Sequence, residues 1–200
     1  MIAALFVDPH GIYSTIDGVE CWGLPDRDAR EYAGPHPVVA HPPCSRWCRL
    51  AGLVEKRWGH IRGEDGGCFA AALAVLRRFG GVLEHPAYSD AWSAHDLAPP
   101  ISSRSCEWIQ NMLRPREWTC HVDQYAYGHA AIKSTWLLYV GDRPPARARA
   151  RARARALVSW CGNHTRIDDD RPRLGKKAAS ATPLEFAEFL VSLARGSVAA

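Results

Sequence analysis

The sequence predicts an α/β protein, and two observations carry that prediction. Four short apolar runs, each followed closely by proline or glycine, are typical of buried strands. They cover residues 2–7, 37–41, 82–84 and 135–140. Residues 68–79 carry apolar side chains at helical spacing, and Gly80-Gly81 ends that helix. A helix between two buried strands predicts a βαβ unit, and hence a Rossmann-like three-layer fold with a mainly parallel sheet, in a single domain with a small basic insertion.

The segments between these elements are less regular. Residues 9–36, rich in glycine and proline, are predicted as a loop, and residues 44–63 as a loop with some helix. Residues 87–117 are predicted to be irregular, with a short helix around positions 107–113. Residues 118–125 alternate between apolar and polar side chains and predict a further strand.

The end of the chain predicts an amphipathic helix, with Thr182 as its N-cap and Pro183 at its first position. The chain then divides into three parts. Residues 1–141 are predicted to form an α/β core, residues 142–182 a basic insertion rich in alanine and arginine, and residues 183–200 a helix packed on the core.

The positive charge of the chain is concentrated in one place. Its 200 residues contain 25 Lys and Arg against 21 Asp and Glu, a net charge of +4. Five arginines alternate with alanine within the insertion: Arg147, Arg149, Arg151, Arg153 and Arg155. Without them, 20 basic residues face 21 acidic ones, which excludes an evenly basic nucleic-acid coat protein. The arginine run is either a phosphate-binding strip or a low-complexity surface segment.

The composition also bears on the compartment. No window approaches the roughly 18 apolar residues that span a bilayer, and the first residues lack the basic region of a signal peptide. Seven irregularly spaced cysteines argue against a disulfide scaffold. We therefore expect a cytoplasmic protein with reduced thiols and no membrane partner.

Two polar residues follow predicted strands that are neighbours in the βαβ unit. Cys44 lies on the turn His41-Pro42-Pro43-Cys44, where the prolines make the backbone rigid, and Glu84 ends the third apolar run. Ligands of open α/β sheets bind at the carboxyl ends of strands. A thiolate and a carboxylic acid brought together there are the parts needed for covalent attack with proton donation. The alternatives are a small buried cysteine and a glutamate that caps a loop.

A third segment precedes the fourth apolar run. It contains Tyr127-Gly128-His129 and, four residues later, Lys133, directly before the strand that ends at Gly141. A basic residue in this position could bind an anion or hold a base in a pocket. The alternative is a solvated lysine at the start of a strand.

The three segments in this order resemble the motifs of the C5 cytosine DNA methyltransferases. More narrowly, the chain is similar to compact methyltransferase-like proteins of phages and prophages. The resemblance covers residues 38–44, 82–86 and 127–141, and the C-terminal helix lies where that family has its last helix.

The resemblance implies a specific chemistry. Cys44 would attack C6 of a cytosine flipped out of double- or single-stranded DNA, and Glu84 would contact N3 and the exocyclic amine. Carbon 5 would then take a one-carbon group from S-adenosylmethionine. The substrate contacts implied are Pro43, His85, His129 and Lys133. The weak cofactor contacts implied are Asp8 and Gly11, and the five arginines of the run would bind DNA.

Two departures from the family pattern leave other functions open. The loop after the first strand has one glycine, Gly11, instead of a glycine-rich cradle, and His85 stands where the family has asparagine. The chain could therefore be a catalytically degenerate nucleic-acid-binding protein on the same fold, or use a one-carbon donor other than S-adenosylmethionine.

Zinc is a rival use of the same cysteines. His41, Cys44 and Cys48 have plausible ligand spacing, and Cys120 and His121 could complete a site. The spacing differs from that of the nucleobase deaminases, and we predict no metal site.

Overall fold

The computed structural model describes residues 1–48, 51–100, 107–142 and 174–198, together with positions 145 and 148. Within these residues seven strands form one sheet. The strands are β1 Ile2–Leu5, β2 Val19–Trp22, β3 Val38–Ala40, β4 Gly81–Pro86, β5 Ile109–Asn111, β6 Arg114–Asp123 and β7 Ser134–Val140. The helices are α1 Ala51–Trp58, α2 Cys68–Phe79, α3 Ala91–Ala94, α4 Lys176–Ser180 and α5 Leu184–Gly196.

The strand order is β2-β1-β3-β4-β7-β6-β5. The pairs β2-β1, β1-β3 and β3-β4 are parallel, whereas β4-β7, β7-β6 and β6-β5 are antiparallel. The prediction of an α/β fold with a mainly parallel sheet is therefore confirmed only in part: the sheet is mixed, with a parallel half formed by β2, β1, β3 and β4. The connection between β6 and β7 is ten residues with one 3₁₀ turn, which suits an antiparallel pair, whereas parallel neighbours need a longer crossover.

The predicted βαβ unit is confirmed, because α2 connects β3 to the parallel strand β4. Gly81 begins β4 with a φ of 124°, and a Cβ there would lie 2.0 Å from the carbonyl oxygen of Val38 on β3. The two backbones approach this closely because position 81 has no side chain. The glycine that ends α2 in the sequence therefore also permits the pairing of β3 with β4.

Helices cover both faces of the sheet. Ile2 and Ala4 of β1 belong to a core with α5, whereas Ala3 and Leu5 belong to a core with α2. Because successive side chains of a strand point to opposite faces, the two helices lie on opposite sides. Among the helices that the structure describes, none has the length and apolar character needed to cross a bilayer.

Three local predictions are wrong. Residues 107–113 include strand β5 rather than a helix, and β2 lies within the predicted loop 9–36. Both are short strands at the two edges of the sheet and only half-buried, so neither shows a continuous apolar run. The cap of α5 is Pro183, one residue later than predicted, and its carbonyl accepts the backbone N–H groups of Phe186 and Ala187.

The structure describes only part of the basic insertion. Within residues 142–182, the structure describes Asp142, positions 145 and 148, and residues 174–182, which include α4. The arginine run of positions 147–155 lies outside the described residues, apart from the buried Ala148.

Candidate active site

The candidate site lies at the carboxyl edge of the parallel strands. The chain leaves β1 towards β2 on one side, and β3 pairs with β1 on the other, so the strand order reverses between β1 and β3. Ligands of open α/β sheets bind in the crevice at such a switch point. Three chain segments reach this edge: Tyr13 after β1, His41 and Cys44 after β3, and Glu84 near the end of β4.

A chain of hydrogen bonds crosses this edge. The Tyr13 hydroxyl lies 2.7 Å from Nε2 of His41, and Nδ1 of His41 lies 2.9 Å from Oε2 of Glu84. The other carboxylate oxygen, Oε1, accepts a hydrogen bond of 3.2 Å from Nε2 of Gln124. Both oxygens of Glu84 therefore have a partner, each from a different segment of the chain.

The amide of Gln124 is oriented by two acceptors. Its Nε2 donates to Glu84 and also, at 3.0 Å, to Oγ1 of Thr135 on β7. The Thr135 hydroxyl can accept this bond because its own proton points to the carbonyl of Lys133, 3.2 Å away. Gln124 begins the turn after β6, so the antiparallel half of the sheet helps to build the site.

The environment of Glu84 keeps its carboxyl group ionised. Burial alone would raise the pKa of Glu84, because a charged carboxylate is poorly solvated in the interior. The hydrogen bond and charge of His41 outweigh burial, and Lys133 and His85 add to them, so the pKa falls to about 2. At neutral pH the group is an acceptor, not a proton donor.

The pKa of Cys44 is shifted in the opposite direction, upwards. Burial raises the pKa of its thiol to about 11, and the negative charge of Glu84 and the electrostatic effect of Cys48 add to this. The backbone around Cys44 and the charge of Lys133 oppose it. The carbonyl of Cys44 accepts the N–H groups of Trp47 and Cys48, which holds the turn rigid. The free protein therefore carries the proton on sulfur, whereas the sequence argument placed it on the carboxyl group.

The predicted substrate contacts fall in different places. Pro43 is exposed beside Cys44. The ammonium group of Lys133 lies 3.4 Å from the carbonyls of Ser180 and Ala181 and close enough to act on the pKa of both Cys44 and Glu84. Lys133 therefore belongs to the electrostatic environment of the site.

Two predicted contacts are buried histidines. His85 is fully buried on the opposite face of β4 from Glu84, packed against Phe69 at 5.2 Å, and burial lowers its pKa to about 4. His129 is buried with Nδ1 2.7 Å from the carbonyl of Ala131. No described hydrogen bond brings either ring to Glu84, and their roles as substrate contacts stay predictions.

The loop after β1 is compact. Asp8 accepts the backbone N–H groups of His10 and Gly11, and a Cβ at Gly11 would lie 3.1 Å from Asp8. The carbonyl oxygen of Val7 lies 1.8 Å from the position of a Cβ at Gly23, so this loop rests against the loop after β2. These residues do not form a glycine-rich cradle for S-adenosylmethionine.

The residues considered for zinc do not form a metal site. In the part of the chain that the structure describes, no group of three or more His, Cys, Asp or Glu side chains could hold a metal ion. The ring of His41 is engaged with Tyr13 and Glu84, and Cys120 is fully buried on β6.

Sequence reasoning missed three residues of the hydrogen-bonded site. Tyr13 lies in a segment predicted as a loop, and Gln124 and Thr135 are neutral residues beside a strand. None of them has a local pattern that signals a role. His41 was named only as a zinc ligand, although its place directly before Pro42-Pro43-Cys44 was a usable signal.

Neither a scan against protein-family models nor a search of the curated proteins finds a match for this chain. The function is therefore argued from the geometry and electrostatics of the site itself.

Proposed function

We propose that this chain is a Rossmann-like enzyme that modifies C5 of cytosine in DNA, with Cys44 adding to C6 of the base and Glu84 serving its N3. One observation carries the proposal: Cys44 and Glu84 lie at the switch point of the sheet, close enough for the negative charge of Glu84 to raise the pKa of the Cys44 thiol. A nucleophile and a proton carrier in one crevice suit conjugate addition to a pyrimidine ring.

The addition step balances without a further base. A bond forms between Sγ of Cys44 and C6, the C5–C6 π electrons move to C5–C4, and those of C4–N3 move to N3. N3 then takes a proton, and the proton available is the one that leaves sulfur. Glu84 is ionised and can carry it from Sγ to N3. The carboxylate does not have to store this proton, because N3 of the adduct is a much stronger base.

The adduct has nucleophilic character at C5, which takes an electrophile. Water then takes the C5 proton, the C6–Sγ bond breaks with its electrons on sulfur, and the N3 proton returns to the thiolate through Glu84, which restores the aromatic ring and the thiol. When the electrophile is a proton from water, the only net change is exchange of the C5 hydrogen. When it is a one-carbon unit, the product is a C5-modified cytosine. The first outcome needs no donor, so it tests the base-binding half of the site alone.

DNA is the proposed substrate because of the arginine run. Five arginines in nine residues, positions 147–155, can neutralise backbone phosphates without reading sequence. The base must leave the stack, since neither face of a stacked ring is accessible to a thiol.

A degenerate nucleic-acid-binding protein is the second candidate, and the loop after β1 favours it. That loop folds onto Asp8 and offers no glycine-rich cradle. A donor other than S-adenosylmethionine would fit the same observation while retaining the chemistry of Cys44 and Glu84. Mass spectrometry of nucleosides from DNA of cells that express the protein distinguishes an enzyme with a cellular donor from a binder.

The direct test is release of tritium from DNA that carries [5-³H]cytosine, with no donor added. We expect the wild type to release tritium into water on single- or double-stranded DNA, and Cys44→Ala to release none. Cys48→Ala, four residues further along the same turn, is the matched control and should retain exchange. If the wild-type protein binds such DNA but releases no tritium from either form, the proposed enzyme is refuted and the nucleic-acid-binding protein is favoured.

A further inference from the structure

Tyr13, His41, Glu84 and Gln124 form one continuous chain of hydrogen bonds. Tyr13 comes from the turn after β1, His41 from the turn after β3, Glu84 from β4 and Gln124 from the turn after β6. Tyr13 is 3% exposed, Glu84 8% and Gln124 1%, and the side chain of His41 is 14% exposed, so water has little access to these bonds. Hydrogen bonds in such surroundings restrict side chains to one arrangement.

The direction of each bond follows from the ionised carboxylate. Glu84 can only accept, so His41 donates through Nδ1. In the neutral ring Nε2 then carries no proton and accepts from the hydroxyl of Tyr13, which lies 2.7 Å away. Burial raises the pKa of Tyr13 well above its usual value, and Glu84 and Cys21 add to this, so the hydroxyl keeps the proton that it donates.

We propose that Tyr13 and His41 are positioning residues that hold Glu84 ionised and in one orientation, ready to receive the proton of Cys44. This inference rests on the proposed cytosine chemistry. Tyr13 fixes the tautomer of His41, and His41 in turn occupies Oε2 of Glu84. A buried glutamate without this donor would take up a proton at ordinary pH, and it would then have no site for the proton of the thiol.

The groups that face Glu84 come from every element packed against it. Tyr13 and His41 lead to Glu84, and these three residues are called the relay. Cys44 lies on the same turn as His41, Lys133 precedes β7, and His85 follows Glu84 on β4. Of the basic side chains among these groups, His41 is the one that hydrogen-bonds to the carboxylate, since Lys133 bonds to backbone carbonyls. Removing His41 should therefore change the protonation of Glu84 most.

The first measurement is the ionisation of Glu84, and it does not depend on activity. Protein labelled with ¹³C at glutamate carboxyl carbons is titrated by NMR, with Glu84→Gln to assign the signal. In the wild type, Glu84 should stay ionised down to about pH 4. In His41→Ala its titration midpoint should rise by at least about two pH units, because burial is then uncompensated. His41→Asn, which can still donate from its amide, should show a smaller rise and keep the space filled.

Tyr13→Phe tests the outer member of the relay. It should raise the midpoint of Glu84 by less than His41→Ala does, since His41 keeps its bond to the carboxylate and loses only the hydrogen bond at its Nε2. Tyr32→Phe is the matched control: Tyr32 is also buried, and its hydroxyl bonds to the backbone of His36 on the other face of the sheet. It should leave the titration of Glu84 unchanged.

The second measurement is the pH profile of tritium release. In His41→Ala and His41→Asn the rate should fall on the acid side at the pH where NMR shows Glu84 taking up its proton, whereas the wild type should show no such fall above about pH 4. Wild type without tritium release, but with the expected NMR shifts, would refute the proposed function and leave the relay standing. An unchanged midpoint for Glu84 in both folded His41 variants would overturn the relay.

Discussion

At the level of single residues, the site depends on where one proton lies. The pKa of Cys44 is raised to about 11 and that of Glu84 lowered to about 2, so the free protein holds a thiol beside a carboxylate. Separately, each deviation would look unfavourable for catalysis, because a thiol is a weak nucleophile and a carboxylate is not an acid. Together they leave a proton on the thiol of Cys44 and a carboxylate at Glu84 that can accept it. The proposed addition of the thiol to C6 with protonation of N3 requires both.

The raised pKa of Cys44 predicts slow alkylation at neutral pH. With a pKa of about 11, roughly one thiol in ten thousand is ionised at pH 7. The rate of labelling with iodoacetamide should therefore rise about tenfold per pH unit from pH 7 to 10, followed at Cys44 by mass spectrometry of digested peptides. Glu84→Gln removes a negative charge and should make Cys44 react faster at pH 8. Labelling of Cys44 that is fast at pH 7 and flat with pH would contradict the raised pKa.

At the level of elements, the βαβ unit sets the spacing between the two reactive groups. Strands β3 and β4 are parallel neighbours, with Val38 opposite Gly81 and Ala40 opposite Leu83. Cys44 lies four residues beyond Ala40, and Glu84 follows Leu83 directly. The register of this one strand pair therefore places thiol and carboxylate at the same edge. The close approach at Gly81 makes that register possible.

Gly81→Ala should disrupt this strand pair. An alanine Cβ would lie 2.0 Å from the carbonyl oxygen of Val38, at a φ of 124° that disfavours any side chain. We expect a loss of more than about 3 kcal/mol in the free energy of unfolding, measured by urea denaturation. Gly52→Ala is the matched control, because a Cβ there meets nothing within 4 Å and the residue is helical. It should stabilise the protein by about 0.5–1 kcal/mol. Equal effects at the two positions would argue against the packing at Gly81.

At the level of the whole molecule, the sheet brings together residues that are far apart in the chain. Tyr13, His41, Glu84 and Gln124 are separated by 28, 43 and 40 positions, yet they share one hydrogen-bonded chain. The parallel half contributes three of them and the antiparallel half contributes Gln124. The body that holds this site is close to neutral, and the excess positive charge lies in the arginine run.

The arginine run should supply most of the salt-sensitive affinity for DNA. Replacing Arg147, Arg149, Arg151, Arg153 and Arg155 by glutamine should weaken binding and reduce the slope of log K against log salt by up to about 4, at roughly 0.9 per phosphate contact. The same five positions changed to lysine keep the charge and should keep most of the slope. Circular dichroism should show the fold intact in both variants. An unchanged slope in the glutamine variant would mean that the run does not contact DNA.

Local patterns in the sequence were sufficient for the central elements. Strands β1, β3, β4 and β7 and helix α2 are buried. Buried elements need apolar residues at regular positions, so their sequences show apolar runs or helical spacing. Cys44 and Glu84 were found by the same route, since a polar residue directly after a buried strand stands out. The half-buried edge strands β2 and β5 have no such pattern and were missed.

The sequence was therefore sufficient for the βαβ unit, for the position of Cys44 and Glu84 after neighbouring strands, and for the location of the excess charge. The tertiary structure alone decided the antiparallel half of the sheet, the relay from Tyr13 to Glu84 and the placement of the proton on Cys44. These two groups of features differ in the separation along the chain over which the interactions behind them act. Burial and periodicity act between near neighbours in the chain, whereas a hydrogen bond or a pKa depends on which distant segments meet in space.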